Sequence, residues 1–192
     1  MRGPLVEAWF GFPGAGKTFA MTSAVLKAKR KEPGLRVYSN YPIRFPDGSM
    51  ALPVESLEDF EAATNGLLLL DEAHIALDSR QSTGPSRSRW VAKLGQLRKS
   101  ALFLWYTTHD PSKVDKQLRN LTEQSHWMLS ARRLGFFLSR VRVGTAPSGA
   151  SLGIEIVRFN GPAHGAYDTF WEVGASGLAP ASTKSTDRAG QA

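Results

Sequence analysis

Apolar residues in this chain fall into two kinds of run. Residues 5–10, 67–70 and 101–107 are short, nearly continuous apolar or aromatic stretches. Runs of that length, closed by glycine, acidic or polar residues, predict strands buried on both faces, as in a parallel sheet covered by helices. Residues 35–39 and 126–131 read as two further strands. Other segments carry helical signals. Residues 18–31 run without Gly or Pro and end in Lys27, Lys29, Arg30 and Lys31, cations suited to the carbonyl end of a helix, before Pro33-Gly34 stops it. Ser56 with Asp59 three residues on is a capping-box variant that opens a short helix ending by Asn65-Gly66. Trp90, Leu94 and Leu97 recur at i, i+4, i+7, which makes Trp90 a packing residue rather than a base-stacking one. Val114, Leu118 and Leu121 form another helical face behind Asp110-Pro111, a cap with Pro at the first helical position. Residues 42–53, with Pro42, Pro46, Gly48 and Pro53, predict a loop or short hairpin, and residues 73–77 a short helix. Residues 136–143 and 151–159 alternate loosely about a turn-rich 144–149 and predict a β-hairpin, with residues 167–173 adding one more strand. Strands alternating with helices predict an α/β fold: a central, mostly parallel sheet flanked by helices, with a C-terminal β-hairpin.

Composition adds exclusions. A chain of 192 residues with 42% hydrophobic and 21% charged residues suits one soluble globular domain. The expected division is a single domain over residues 1–173, with 135–173 as a β-rich extension. Residues 174–192, rich in Ala, Ser, Gly, Pro and Thr, are expected to be a disordered tail. No cysteine is present, so disulfides and thiolate metal sites are excluded. No signal peptide and no membrane-length apolar run is evident, and a soluble, cytoplasmic protein is expected. The net charge of +7 is unevenly placed: residues 1–79 carry 8 basic and 10 acidic side chains, and residues 80–142 carry 13 basic and 3 acidic. A basic middle segment is either a solvated face or an electrostatic footprint for a polyanion.

The chemistry lies at the ends of the predicted strands. Residues 11–18, Gly-Phe-Pro-Gly-Ala-Gly-Lys-Thr, match G-x-x-x-x-G-K-[ST] without mismatch. A strand leads into this loop and a helix leaves it, so successive backbone N–H groups and a helix N-terminus face one anion. Gly11, Pro13, Gly14, Ala15, Gly16, Lys17, Thr18 and Phe19 are therefore the expected nucleotide-binding residues, with Lys17 reaching the β- and γ-phosphates and the Thr18 hydroxyl ligating Mg²⁺. A chance glycine-rich turn would not come with the lysine, the threonine and both flanks. Asp71-Glu72 closes the four-leucine strand, the position at which α/β sheets bind ligands. Asp71 is expected to hold Mg²⁺, and Glu72 to orient and activate the attacking water, unless it is an ordinary surface glutamate. ATP and Mg²⁺ are the expected cofactors, with no other metal. Thr107-Thr108-His109 ends the 101–107 strand, where a γ-phosphate sensor is expected. Thr108 is the sensor candidate, and His109 is either a second one or a turn residue. Residues 79–89 are polar and basic, and Arg80, Arg87 and Arg89 are placed to touch nucleic acid or a neighbouring subunit if this is more than a solvent loop.

An extra strand region between the P-loop and the acidic pair, with Glu72 beside Asp71, resembles the additional-strand, catalytic-glutamate (RecA-like) division of P-loop NTPases. No basic lid suggests a nucleoside kinase. Asp71-Glu72-Ala73-His74 spells the DEAH helicase tetrad, but those enzymes need two such domains, so the tetrad reads as an acidic pair followed by Ala and His. The layout over about residues 5–133 is similar to FtsK/HerA-type motors, particularly small viral genome-packaging ATPases and the zonular-occludens-toxin-like ATPase domain. Residues 11–18, Val37-Tyr38-Ser39-Asn40, residues 67–72, Leu97-Arg98, Thr107-Thr108-His109 and residues 115–121 carry the resemblance. His109 stands where the family often has Gln. The resemblance implies a ring, expected to be a hexamer, with ATP between subunits and an arginine finger supplied in trans, for which Arg98 and then Arg119 are the candidates. It implies double-stranded DNA as cargo, gripped through its phosphates by loops following the acidic pair. Location would be the host cytoplasm or the virion's packaging vertex. An assembly or secretion ATPase acting on capsid or membrane proteins, and a nucleotide-binding switch with negligible turnover, are the competing expectations.

Overall fold

The structure, a computed structural model, describes residues 3–76, 85–131, 134–159 and 163–167. In chain order it has β1 (Val6–Phe10), α1 (Lys17–Lys31), β2 (Arg36–Ser39), β3 (Leu52–Pro53), α2 (Leu57–Ala62), β4 (Gly66–Leu70), α3 (Ala73–Ala76), α4 (Pro85–Gly95), β5 (Leu102–Thr108), α5 (Lys116–Leu121), β6 (Gln124–Ala131), β7 (Phe136–Val143) and β8 (Ser151–Arg158). All eight strands form one sheet, ordered β3-β2-β4-β5-β1-β6-β7-β8. The first six strands are mutually parallel, and β7 and β8 join antiparallel. The predicted hairpin is thus the continuation of the main sheet beyond β6.

Side-chain alternation explains why the leucine run had to be central. Leu68 and Leu70 enter the core on the face covered by α2, α4 and α5, with Phe60, Trp90, Leu94, Leu97 and Leu118. Leu67 and Leu69 enter the core on the opposite face with α1, beside Trp9, Phe19, Met21 and Trp105. A strand feeding two cores tolerates no polar position, and β4 is buried throughout.

Three local features differ from expectation, each for a tertiary reason. The stretch expected as a loop over 79–89 is helical from Pro85 onward, because α4 is fastened to α2. Arg89 Nε donates to Glu61 at 2.8 Å and its Nη1 to Glu58 at 3.1 Å, while the Lys93 ammonium donates to the carbonyls of Glu61 and Ala63 at the end of α2. Trp90 packs on Phe60 with ring centroids 3.9 Å apart. The helix expected behind Asp110 divides into a 3₁₀ turn over Pro111–Lys113 and α5, because Asp115 provides a second cap by accepting from Gln117 N–H. The third is β3, too short to leave a periodic signal, which pairs with β2 within the region read as a loop or hairpin. The Ser56–Asp59 capping box is present as read. Of the strand expected over 167–173, only Tyr167 is among the described residues, and the expected tail lies wholly outside them.

Candidate active site

Because β1, β4 and β5 run parallel, their C-terminal ends share one edge of the sheet. That edge receives the glycine loop after β1, Asp71 and Glu72 after β4, and the end of β5. Strand β5 lies between β1 and β4, so Asp71 reaches the loop across one intervening strand. Helix α1 starts at Lys17 with Gly16 as a left-handed cap that supplies no side-chain acceptor. The first backbone N–H groups of α1 therefore have no side-chain cap to satisfy them. Gly16 has φ +83, and a Cβ there would stand 2.7 Å from the ring of Phe137 on β7. Phe137 and Phe159 join Pro13, Gly14, Lys17 and Glu72 around a cleft of about 770 Å³ over the loop.

The acidic pair is tied to the loop at named atoms. The Thr18 and Thr107 hydroxyls both donate to Asp71 Oδ1, at 2.8 and 2.6 Å. Asn40 brackets the Asp71 backbone: its amide donates to Asp71 O at 2.9 Å and its carbonyl accepts from Asp71 N–H at 2.7 Å. Burial pushes the Asp71 carboxyl above the usual carboxylate range, against the two hydroxyl donors and with the help of the neighbouring Glu72 charge. A buried carboxylate beside a hydroxyl, both hard oxygen donors next to an anion-binding loop, fits Mg²⁺ better than a softer metal. Glu72 adopts φ +47, its N–H donates to Thr107 Oγ1 at 2.9 Å, and its Oε1 lies 3.8 Å from Lys17 Nζ. Lys17 is itself buried and donates to Phe12 O at 3.4 Å.

Thr107 thus serves both acidic residues. Thr108 is fully buried on the other side of β5, its hydroxyl donating to Asp110 O and lying 3.3 Å from His74 Nδ1. Thr107→Val keeps the shape but leaves Glu72 N–H without an acceptor and Asp71 with one donor. The expected loss is about 1–3 kcal/mol of stability, read from the urea midpoint at unchanged slope.

The remaining sites are scattered. Arg98 follows α4 and pairs with Glu123 at 3.4 Å, near the N-terminal end of β5. A seven-residue strand, about 23 Å long, separates it from the glycine loop of its own chain. Arg119 lies on α5, its buried Nε without a hydrogen-bond partner. Arg89 is engaged by Glu58 and Glu61. Arg87 lies in α4, and Arg80 is outside the described residues. Asn40, Thr107 and His74 were not among the expected site residues. Asn40 and Thr107 each had a signal, a polar side chain at the C-terminal end of a strand beside β4.

No protein-family model matches the chain, and no curated protein matches it in sequence. Solved structures do match. The N-terminal domain of zonular occludens toxin from Neisseria meningitidis superposes with a TM-score of 0.61 at 18% identity, over 87% of this chain and 100% of that one. The genome packaging NTPase B204 from Sulfolobus turreted icosahedral virus 2, in complex with ATPγS, superposes with a TM-score of 0.56 at 12% identity, over 82% of this chain and 98% of that one. The fold is that of a P-loop NTPase. Within that P-loop NTPase fold, residues 11–18 and the Asp71-Glu72 pair occupy the shared sheet edge. Among the described residues, no helix is long and apolar enough to cross a membrane.

Proposed function

We propose that the chain is an ATP-hydrolysing motor that translocates double-stranded DNA, as in packaging a viral genome into a preformed capsid. The observation that carries it is the joining of Asp71 to Thr18 of the P-loop, with Glu72 Oε1 beside Lys17. In this reading the loop N–H groups and Lys17 bind the triphosphate, and Thr18 and Asp71 hold Mg²⁺, whose charge offsets that of the phosphates. Glu72 takes a proton from water as the water oxygen bonds to the γ-phosphorus. The bond from that phosphorus to the β–γ bridging oxygen breaks, releasing ADP and phosphate. Assembly into a ring, expected to be hexameric, with Arg98 or Arg119 acting in trans, belongs to the same reading.

Support for DNA as cargo is the basic middle segment together with the likeness to B204. Arg89 and Lys93 are committed to α2, so the DNA contacts proposed here fall mainly on Arg80 and Arg87. Arg80→Ala with Arg87→Ala is expected to abolish stimulation of ATP hydrolysis by duplex DNA while leaving the DNA-free rate unchanged. Hydrolysis by the wild-type chain that ignores DNA at low salt would refute the translocase. One observation favours a protein-directed assembly ATPase as the second reading: Leu152, Ile154 and Ile156 lie exposed in alternation on β8, the edge strand among the described residues.

A further inference from the structure

We infer, on the ATP-binding reading above, that the C-terminal extension supplies the base-binding wall of the nucleotide cleft: the nucleobase lies against Phe159 and His164, and the site thereby selects purine over pyrimidine nucleotides. The cleft over the glycine loop measures about 770 Å³, more than a bare triphosphate fills and within the roughly 300–1,000 Å³ of sites that enclose an organic ligand. Its lining is divided by origin and by chemistry. The loop and the end of β4 contribute Lys17, Thr18 and Glu72, whereas the extension contributes Phe137, Phe159, Ala163, His164 and Tyr167 and no acidic, lysine or arginine side chain. Phosphates gain from the first group, and an uncharged aromatic ring gains from burial against the second.

The wall is held from two directions. Phe159 follows β8 and lies nearly parallel to Phe19 of α1, with ring centroids 5.5 Å apart at 12°, and Phe137 of β7 is 5.9 Å away. The His164 ring is tilted against Phe159 at 5.7 Å between centroids, and His164 is exposed. Residues 163–167 are tied to the segment after β2: Ala166 O accepts from Arg44 N–H at 2.8 Å, and Ala166 N–H donates to Ala163 O at 3.2 Å. Tyr167 meets Tyr41 edge to face at 5.9 Å, and the Tyr41 hydroxyl lies 3.0 Å from that of Thr22 on α1. Burial pushes the Tyr167 phenol up to about 12, with the Asp71 charge adding, so it stays a protonated donor. A wall fixed by both α1 and β7 is preorganised, which leaves little ordering cost to the ligand. A purine lays two fused rings on such a surface and a pyrimidine one, so the purine gains more.

Isothermal titration calorimetry of the full chain in Mg²⁺, with ATP, CTP and inorganic tripolyphosphate as separate ligands, reads the wall directly. ATP is expected to bind about ten- to a hundred-fold tighter than tripolyphosphate, the usual worth of one stacked base, and about three- to ten-fold tighter than CTP. His164→Ala and Phe159→Leu are expected to remove most of the advantage of ATP while tripolyphosphate affinity holds. CTP that matches ATP, or equal weakening of ATP and tripolyphosphate in His164→Ala, would overturn the wall. Should Phe159→Leu fail to fold, the wild-type comparison and the exposed His164 still decide. Tripolyphosphate binding with no gain from the base would overturn the wall and leave the phosphate role of the loop standing. A chain that binds neither ATP nor tripolyphosphate would sink the ATP-binding reading itself, and the wall with it.

Discussion

Glu72→Gln is expected to lower the ATP turnover rate by about 10²–10⁴-fold, the usual contribution of a positioned general base. Nucleotide affinity should hardly change, because in the proposed mechanism the phosphates are bound by loop N–H groups and Lys17 rather than by Glu72. Glutamine is isosteric, so the loss isolates proton acceptance from shape. Multiple-turnover phosphate release, set beside equilibrium binding of a fluorescent ATP analogue, separates the two. Unchanged turnover would move the base elsewhere and make Glu72 an ordinary edge residue.

Gly16→Ala is expected to cost about 2–5 kcal/mol, a large fraction of the stability of a single domain. Two causes add. The residue adopts φ +83, a left-handed conformation that L side chains rarely take, and the new methyl would stand 2.7 Å from the ring of Phe137. Phe137 is itself held by Phe19 at 5.7 Å and Phe159 at 5.9 Å between centroids, so it has little room to withdraw. Gly14→Ala is the control: its φ is +75, but a Cβ there meets nothing within 4 Å. It should show only the backbone cost, about 1–2 kcal/mol. Urea unfolding of both variants measures the difference, which should shrink when Phe137→Ala is added to Gly16→Ala. Equal losses at the two glycines would mean that the hairpin does not brace the loop.

Both experiments probe residues that differ in how readable they were. The loop over 11–18 is legible because its pattern is local: the glycines, lysine and threonine are contiguous between a strand and a helix. The Asp71-Glu72 pair is legible because four leucines can lie only in a strand that feeds two cores, and a polar pair ends such a strand at its edge. The choice between Thr107 and Thr108 is not local. Adjacent strand residues point to opposite faces, and only the pairing of β4 with β5, Leu70 opposite Tyr106, puts Thr107 on Asp71. Charge was misleading in the same way. Thirteen basic residues over 80–142 look like one surface, yet Arg89 and Lys93 are spent on the carboxylates and carbonyls of α2, 28 to 32 positions earlier.

The sequence by itself thus determined the order of the main strands and helices, the mostly parallel α/β class, the glycine loop and its acidic partner, because each depends on contiguous residues and on apolar periodicity. Tertiary structure alone decided which threonine meets Asp71, that His74 and His109 converge on Glu72 Oε2, and that Phe137 lies under Gly16. Those contacts join residues from 2 to 121 positions apart. They depend on sheet register and on which face of each strand points to which neighbour, quantities that composition and local spacing do not encode.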